Sequence, residues 1–253
     1  MCYNNITNQE RKKEVQTMEE NKIDHRHIFG IMLDTETANT IVEDDGKLDM
    51  MYVLPYDFGF AVIDSKGNIY EKHSYVNSDI FLDEFTLMKS AYYVDKIPDY
   101  IRDLANGTRQ LKTTFEIRQI ILAIIEKYDC QFVAAHNARF DYRACNNIQR
   151  WSTKSKYRYF FPKDIEIWDT LKMARDVLGK MPTYINFCFD NGFVTKHAKP
   201  QPQFTAEVIF RYITGNINFI EEHKGLEDVE IETAIFKYLV RQHKPMRKKL
   251  FEN

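Results

Sequence analysis

The chain has 253 residues, 44% of them apolar, and a formal net charge of −2. That length and apolar content can bury a sizeable core and exclude global disorder, while the balanced charge excludes a molecule-wide nucleic-acid-binding field, so any basic footprint has to be local. No run approaches the ~20 apolar residues of a membrane span, the start Met1-Cys2-Tyr3-Asn4-Asn5 lacks the order of a secretory signal, and Cys2, Cys130, Cys145 and Cys188 are too dispersed for a zinc knuckle or a disulfide framework. The expectation is a cytoplasmic protein with buried free thiols and no membrane partner.

Residues 1–26 are polar and charged without a sustained apolar period and are expected to form a loose leader, with one domain over 27–253. His27-Ile28-Phe29-Gly30-Ile31-Met32-Leu33 reads as a buried strand. Residues 56–64 read as a second, and Ser65-Lys66-Gly67-Asn68 supplies a turn before a third over 69–76, giving an antiparallel meander. Glu43-Asp44-Asp45-Gly46-Lys47 reads as a solvated excursion between the first two. Residues 80–105 read as helical as far as the stop signal Asn106-Gly107, with Pro98 expected to kink or divide the stretch. Thr113-Thr114-Phe115-Glu116 is a capping box opening an apolar helix through Ile117, Ile120, Ile121, Ile124 and Ile125. A short buried strand follows at 131–135, a helix at 140–148, a strand at 165–168 and a helix at 170–178. Strands giving way to alternating helix and strand predict an α/β mixed sheet.

Against this frame four acids occupy element ends. Asp34 and Glu36 stand two apart where the first strand ends, so both can aim at one site. Asp141 opens a helix just after a buried strand, next to the positive end of the helix dipole. Asp228, five residues after His223, lies where a polar stretch turns into a helix carrying Ile231, Ala234, Ile235, Tyr238 and Leu239 on one face. Carboxylates gathered from distant parts of a chain are how a hard-cation site is assembled.

Asp34-Thr35-Glu36-Thr37, His136-Asn137-Ala138-Arg139-Phe140-Asp141 and His223 with Asp228 resemble, in this order, the three motifs of the DEDD superfamily of 3′-to-5′ exonucleases. Lys224 stands where the tyrosine branch has its tyrosine, so the third motif resembles the histidine branch. Trp168-Asp169-Thr170-Leu171 and Ala206-Glu207-Val208-Ile209-Phe210 resemble further segments of that branch, and the likeness runs over roughly residues 27–243. It implies a ribonuclease-H-like mixed sheet flanked by helices. It also implies that Asp34, Glu36, Asp141 and Asp228 hold two Mg²⁺ or Mn²⁺ ions, that His223 is the general base, and that the product is a nucleoside 5′-monophosphate. The partner implied is a nucleic acid with a free 3′ end, DNA with single-stranded ends before duplex, in a setting that includes a DNA polymerase or replication complex. An RNA-trimming member of the superfamily and a catalytically dead binding protein are the alternatives. Thr37-Ala38-Asn39 departs from the Thr-Gly the family often has there, which touches the handling of the terminal nucleotide.

Around these motifs Thr37, Asn137 and Phe140 are candidate substrate contacts. Residues 150–163 interleave cations with aromatics and contain no acid, a composition suited to phosphate contact and base stacking, and Lys154, Lys156 and Arg158 are the candidates there. A solvated loop with its aromatics tucked into the core is the competing reading. Asp169 is expected to cap the helix from Thr170 rather than act as a fifth ligand.

Overall fold

Alternate residues of the first two strands are apolar on both sides, which is what a sheet covered by helices on each face requires. The computed structural model describes residues 23–251 except 25, 44–45 and 84–86, so nearly all of the expected leader lies outside the described residues. The strands are β1 (Phe29–Ala38), β2 (Leu54–Asp64), β3 (Ile69–Asn77), β4 (Gln110–Lys112), β5 (Phe132–Ala135) and β6 (Glu166–Asp169). They form one sheet in the order β4-β3-β2-β1-β5-β6. β1, β2 and β3 make the expected antiparallel meander, while β5 runs parallel to β1, β6 to β5 and β4 to β3.

The helices are α1 (Ser78–Phe81), α2 (Ile97–Ala105), α3 (Thr114–Tyr128), α4 (Arg139–Thr153), α5 (Thr170–Val177), α6 (Pro182–Asp190), α7 (Ala206–Thr214) and α8 (Gly225–Arg241). Ile31, Leu33, Phe58, Phe60 and Val62 point into a core shared with α3 and α4. Met32, Ala61 and Ile63 point the other way, into a core with α5, α6, α7 and α8. Each of the larger of these side chains contributes about 1.5–3 kcal/mol by leaving water, and the alternation fixes the register, since a slip of one residue would exchange the two cores.

The capping box of α3 forms as expected: Thr113 Oγ1 accepts from the Glu116 N–H and the Glu116 carboxylate accepts from the Thr113 N–H. The helical stretch expected over 80–105, with Pro98 kinking or dividing it, is divided, and among the described residues only its two ends are α-helical. Short 3₁₀ turns occupy Met88–Ser90 and Val94–Lys96, and α2 begins only at Ile97, because Pro98 is accommodated in a first turn, where its missing N–H costs nothing. β1 runs five residues further than expected, carrying the Asp34–Thr37 motif inside the strand. Among the described residues no helix is long and apolar enough to cross a membrane, and Cys130, Cys145 and Cys188 are buried free thiols.

Candidate active site

Asp34 and Glu36 leave β1 on the face that Met32 uses, the face covered by α8, and both line a cleft of about 740 Å³. The β1–β2 register shifts between Glu36 and Thr37, an irregularity that bends the strand where the acids stand. Because β5 is parallel to β1, its carboxyl end delivers the next segment to the same edge. Asn137 turns the chain there with φ +64, and α4 follows. Asp141, 4% exposed in the first turn of α4, accepts hydrogen bonds from the Thr35 N–H at 3.1 Å and the Thr35 hydroxyl at 2.8 Å, locking the second acidic segment to the first.

α8 brings the fourth acid, and two glycines set its position. A Cβ on Gly59 of β2 would lie 1.9 Å from the Gly225 carbonyl carbon, so the start of α8 rests directly on the strand backbone. Fully buried Asp57 accepts from the Gly225 N–H at 2.9 Å, from Tyr100 Oη at 2.7 Å and from the Arg109 guanidinium at 3.0 Å. Arg109 also reaches Glu227 at 2.6 Å, so the same network grips the first turn of α8 from both sides. Asp228 in that turn accepts from the Lys224 N–H at 3.0 Å through Oδ2, while its other oxygen is buried without a hydrogen-bond partner.

His223 sits in the loop before α8 with φ +55, its ring stacked on Tyr93 at 4.2 Å between centroids and 10° between planes. Ligating atoms of Glu36, His223 and Asp228 lie within 4.8 Å of one another.

Burial and mutual repulsion dominate the electrostatics. Burial, then Glu232 and Asp141, pushes Asp34 well above the usual carboxylate range, and burial with Asp228 does the same to Glu36. Burial raises Asp141 to about 7, and burial with Glu221 raises Asp228 to about 8. His223 moves the other way: burial lowers it from the ordinary imidazole value, so the ring is neutral near pH 7.

Two acids escaped the sequence reading. Glu232, 3% exposed, lines the cleft one turn after Asp228 and accepts from the His136 N–H at 3.1 Å. Burial, then Asp141, raises it well above the carboxylate range. The available signal was a carboxylate at the i+4 position from Asp228, on the helix face otherwise built from Val229, Ile235 and Phe236. Glu221 also lines the cleft and is raised to about 7 by burial and Glu207; it lies in an irregular segment with no periodicity to betray it.

Thr37, Asn137 and Phe140, the candidate substrate contacts, line the cleft. Lys154, Lys156 and Arg158 do not. Lys154 is the left-handed cap of α4 with its ammonium 4.8 Å over the Trp151 ring, and Lys156 lies 5.2 Å over Tyr157. In that segment Phe160 and Phe161 are core residues, as the competing reading has it, while Tyr157 and Tyr159 are exposed. Asp169 caps α5, accepting from the Leu171 N–H at 3.0 Å.

No family model matches the chain, and no curated protein matches it in sequence. Solved structures do. E. coli exonuclease I in complex with a 5cy-dT13 oligonucleotide superposes with a TM-score of 0.53 at 16% identity, covering 87% of this chain and 41% of that one. A full-length 3′-exonuclease gives 0.57 at 11% identity, covering 89% and 88%. A 3′-exonuclease recognising the histone mRNA stem-loop gives 0.53 at 9%, covering 88% and 85%. This chain thus spans less than half the length of exonuclease I, and at such identities the likeness establishes the fold: the mixed sheet of the ribonuclease-H-like exonucleases.

Proposed function

We propose that the chain is a divalent-metal-dependent 3′-to-5′ exonuclease of the histidine branch of the DEDD superfamily, releasing nucleoside 5′-monophosphates from single-stranded DNA ends. The observation that carries this is the convergence of Asp34, Glu36, Asp141 and Asp228, from three distant segments, in one cleft with His223. The donor set fits a hard dication: all four acids offer oxygens, and one buried oxygen of Asp228 has no hydrogen bond to satisfy it. Asp34, Glu36, Asp141 and Asp228 would hold two Mg²⁺ or Mn²⁺ ions, which when bound supply charge stabilisation for an in-line displacement at phosphorus.

The chain's own residues do the rest. Neutral His223 accepts a proton from the attacking water, and its stack on Tyr93 holds the ring at the cleft. Thr37, Asn137 and Phe140 flank the acids and position the terminal nucleotide. The same chemistry on RNA is the second reading, favoured by the similarity in length to the 3′-exonuclease that recognises a histone mRNA stem-loop.

The test is release of mononucleotides from 3′-labelled single-stranded DNA, duplex DNA and RNA of one sequence, with Mg²⁺ or with EDTA. Mononucleotides should appear only with the metal, and Asp34→Ala should abolish them while its circular dichroism stays that of the wild type. Full activity in excess EDTA, or in folded Asp34→Ala, refutes the metal-dependent reading. Binding without hydrolysis of any substrate returns the protein to the class of inactive binding modules.

A further inference from the structure

The cleft does not end at the acids. Leu48 forms a wall common to it and to a second groove of about 700 Å³. The end of β1 and the residue after it run along both, with Thr37 in the cleft and Asn39 in the groove. So does α4: Phe140 faces the cleft, and Arg143, Asn147, Arg150 and Trp151 face the groove. Steps of three and four residues put these side chains on one stripe of the helix, about 16 Å long at about 1.5 Å per residue.

The opposite wall is built from Asp49, Met50, Met51 and Tyr52. It is pinned at both ends, since Asn147 Nδ2 donates to the Met50 carbonyl at 2.9 Å and the Val53 carbonyl at 3.1 Å, and Asn39 Nδ2 to the Tyr52 carbonyl at 2.9 Å. The groove is therefore preformed. Its helix wall is cationic and aromatic: Arg143 is exposed, Arg150 lies 5.4 Å over the Tyr159 ring, and Trp151 is 37% exposed. Its acids, Glu43 and Asp49, stand on the loop side, where the Asp49 carboxylate is occupied by the Met51 N–H at 2.8 Å.

We propose that this groove is the track of an unpaired strand upstream of the scissile bond, with bases stacked at Trp151 and phosphates following Arg143 and Arg150. The inference rests on the exonuclease reading above and deepens it by naming the residues that carry the strand. A walled groove with a tryptophan suits unpaired bases, which offer π-faces that a duplex keeps stacked within itself. It also replaces Lys154, Lys156 and Arg158 as principal contacts with residues of the helix stripe, leaving Lys154 to back the Trp151 ring.

The chain has two tryptophans, and Trp168 is buried in a stack with Phe132 at 3.9 Å, so a ligand in the groove reports through Trp151. Oligo(dT) added in Ca²⁺ should quench the tryptophan emission of the wild type, and that quenching should vanish in Trp151→Phe. In Mg²⁺, Trp151→Ala should lower the preference for a long single strand over a dinucleotide by about tenfold, the scale of one stacked base. Arg143→Gln with Arg150→Gln should reduce the salt slope of single-strand binding by about 1.4, at about 0.7 per phosphate contact. Wild-type protein that degrades oligo(dT) with no quenching, and variants that keep preference and slope, would overturn the proposal. Failure of the enzymatic reading looks different: quenching without mononucleotide release keeps the track and removes the nuclease.

Discussion

Asp141→Asn should stabilise the metal-free protein at neutral pH, the opposite of what substitution at a buried, hydrogen-bonded position normally does. Asp141 uses one oxygen to accept from both the Thr35 N–H and the Thr35 hydroxyl, and an asparagine carbonyl can accept both in the same place. What the substitution removes is charge. Burial raises the carboxyl from 3.8 to about 7 in the folded state. A carboxyl raised in this way contributes fully below its unfolded value and loses that contribution as pH climbs through the folded one. The window therefore opens near pH 3.8 and closes near 7. Above it the ionised group costs the fold about 4 kcal/mol at ~1.4 kcal/mol per pH unit. For a chain of this size that is about 8–16 °C in melting temperature. Melts in EDTA should give coincident curves for wild type and Asp141→Asn below pH 4, and a separation in favour of the variant that grows to pH 8. Mg²⁺ should raise the wild-type transition and leave the variant's less changed. A variant that melts below the wild type in EDTA at pH 8 would refute the view that burial penalises the Asp141 carboxylate in the folded apo state.

His223→Ala should lower turnover by roughly 10²-fold, the range for loss of a general base, while single-strand affinity in Ca²⁺ stays the same. Since burial lowers the imidazole, the acid limb of the wild-type rate profile should lie below pH 6.5, and its disappearance in the variant would identify the group; wild-type turnover would make His223 structural. Gly59→Ala forces a methyl carbon to within 1.9 Å of backbone at Gly225, so the start of α8 has to shift with His223 and Asp228. The expected cost is about 1–3 kcal/mol by denaturant titration together with loss of hydrolysis, and a variant with unchanged stability and turnover would contradict the close packing of α8 on β2.

What was legible in the sequence is what local chemistry specifies. Asp34 and Glu36 are adjacent on one strand face by the period of the strand alone, Thr113 and Glu116 form their box by neighbour contact, and Asp169 caps α5 within its own turn. Glu232 had only its i+4 spacing from Asp228 to mark it, and Glu221 and Tyr93 had nothing, because their role depends on how α8 and the segment before it settle across β1 and β2. That placement is decided by the Gly59–Gly225 approach and by the Asp57 carboxylate on the Gly225 N–H, contacts that join residues over a hundred positions apart. β4 is three residues long and owes its existence to parallel pairing with β3, so no apolar period announces it. Of the stretch expected to be helical over 80–105, only the end of α1 and 97–105 are α-helical among the described residues, since Pro98 divides it by acting as a helix start. In the basic stretch 150–163, composition alone does not say which aromatics tuck into the core, and it is tertiary packing that takes Phe160 and Phe161 inward and leaves Tyr157 and Tyr159 exposed.

Asp57 and Asp228 show how the same chemistry is put to two ends a few ångströms of backbone apart. Both are buried carboxylates, Asp57 on β2 against the start of α8 and Asp228 in its first turn, and burial alone would penalise both as anions. Asp57 is given a guanidinium, a phenol hydroxyl and a backbone N–H, enough to satisfy both of its oxygens. Asp228 is given one backbone N–H and faces Glu36 and Glu221, so its second oxygen has neither donor nor countercharge. A fold able to satisfy the first acid completely has no structural use for the second in its unsatisfied state, because a neutral side chain there would remove the repulsion at once. An oxygen left open in this way is what the proposed cation site calls for, and the surrounding acids set the sign of the charge such a ligand would carry.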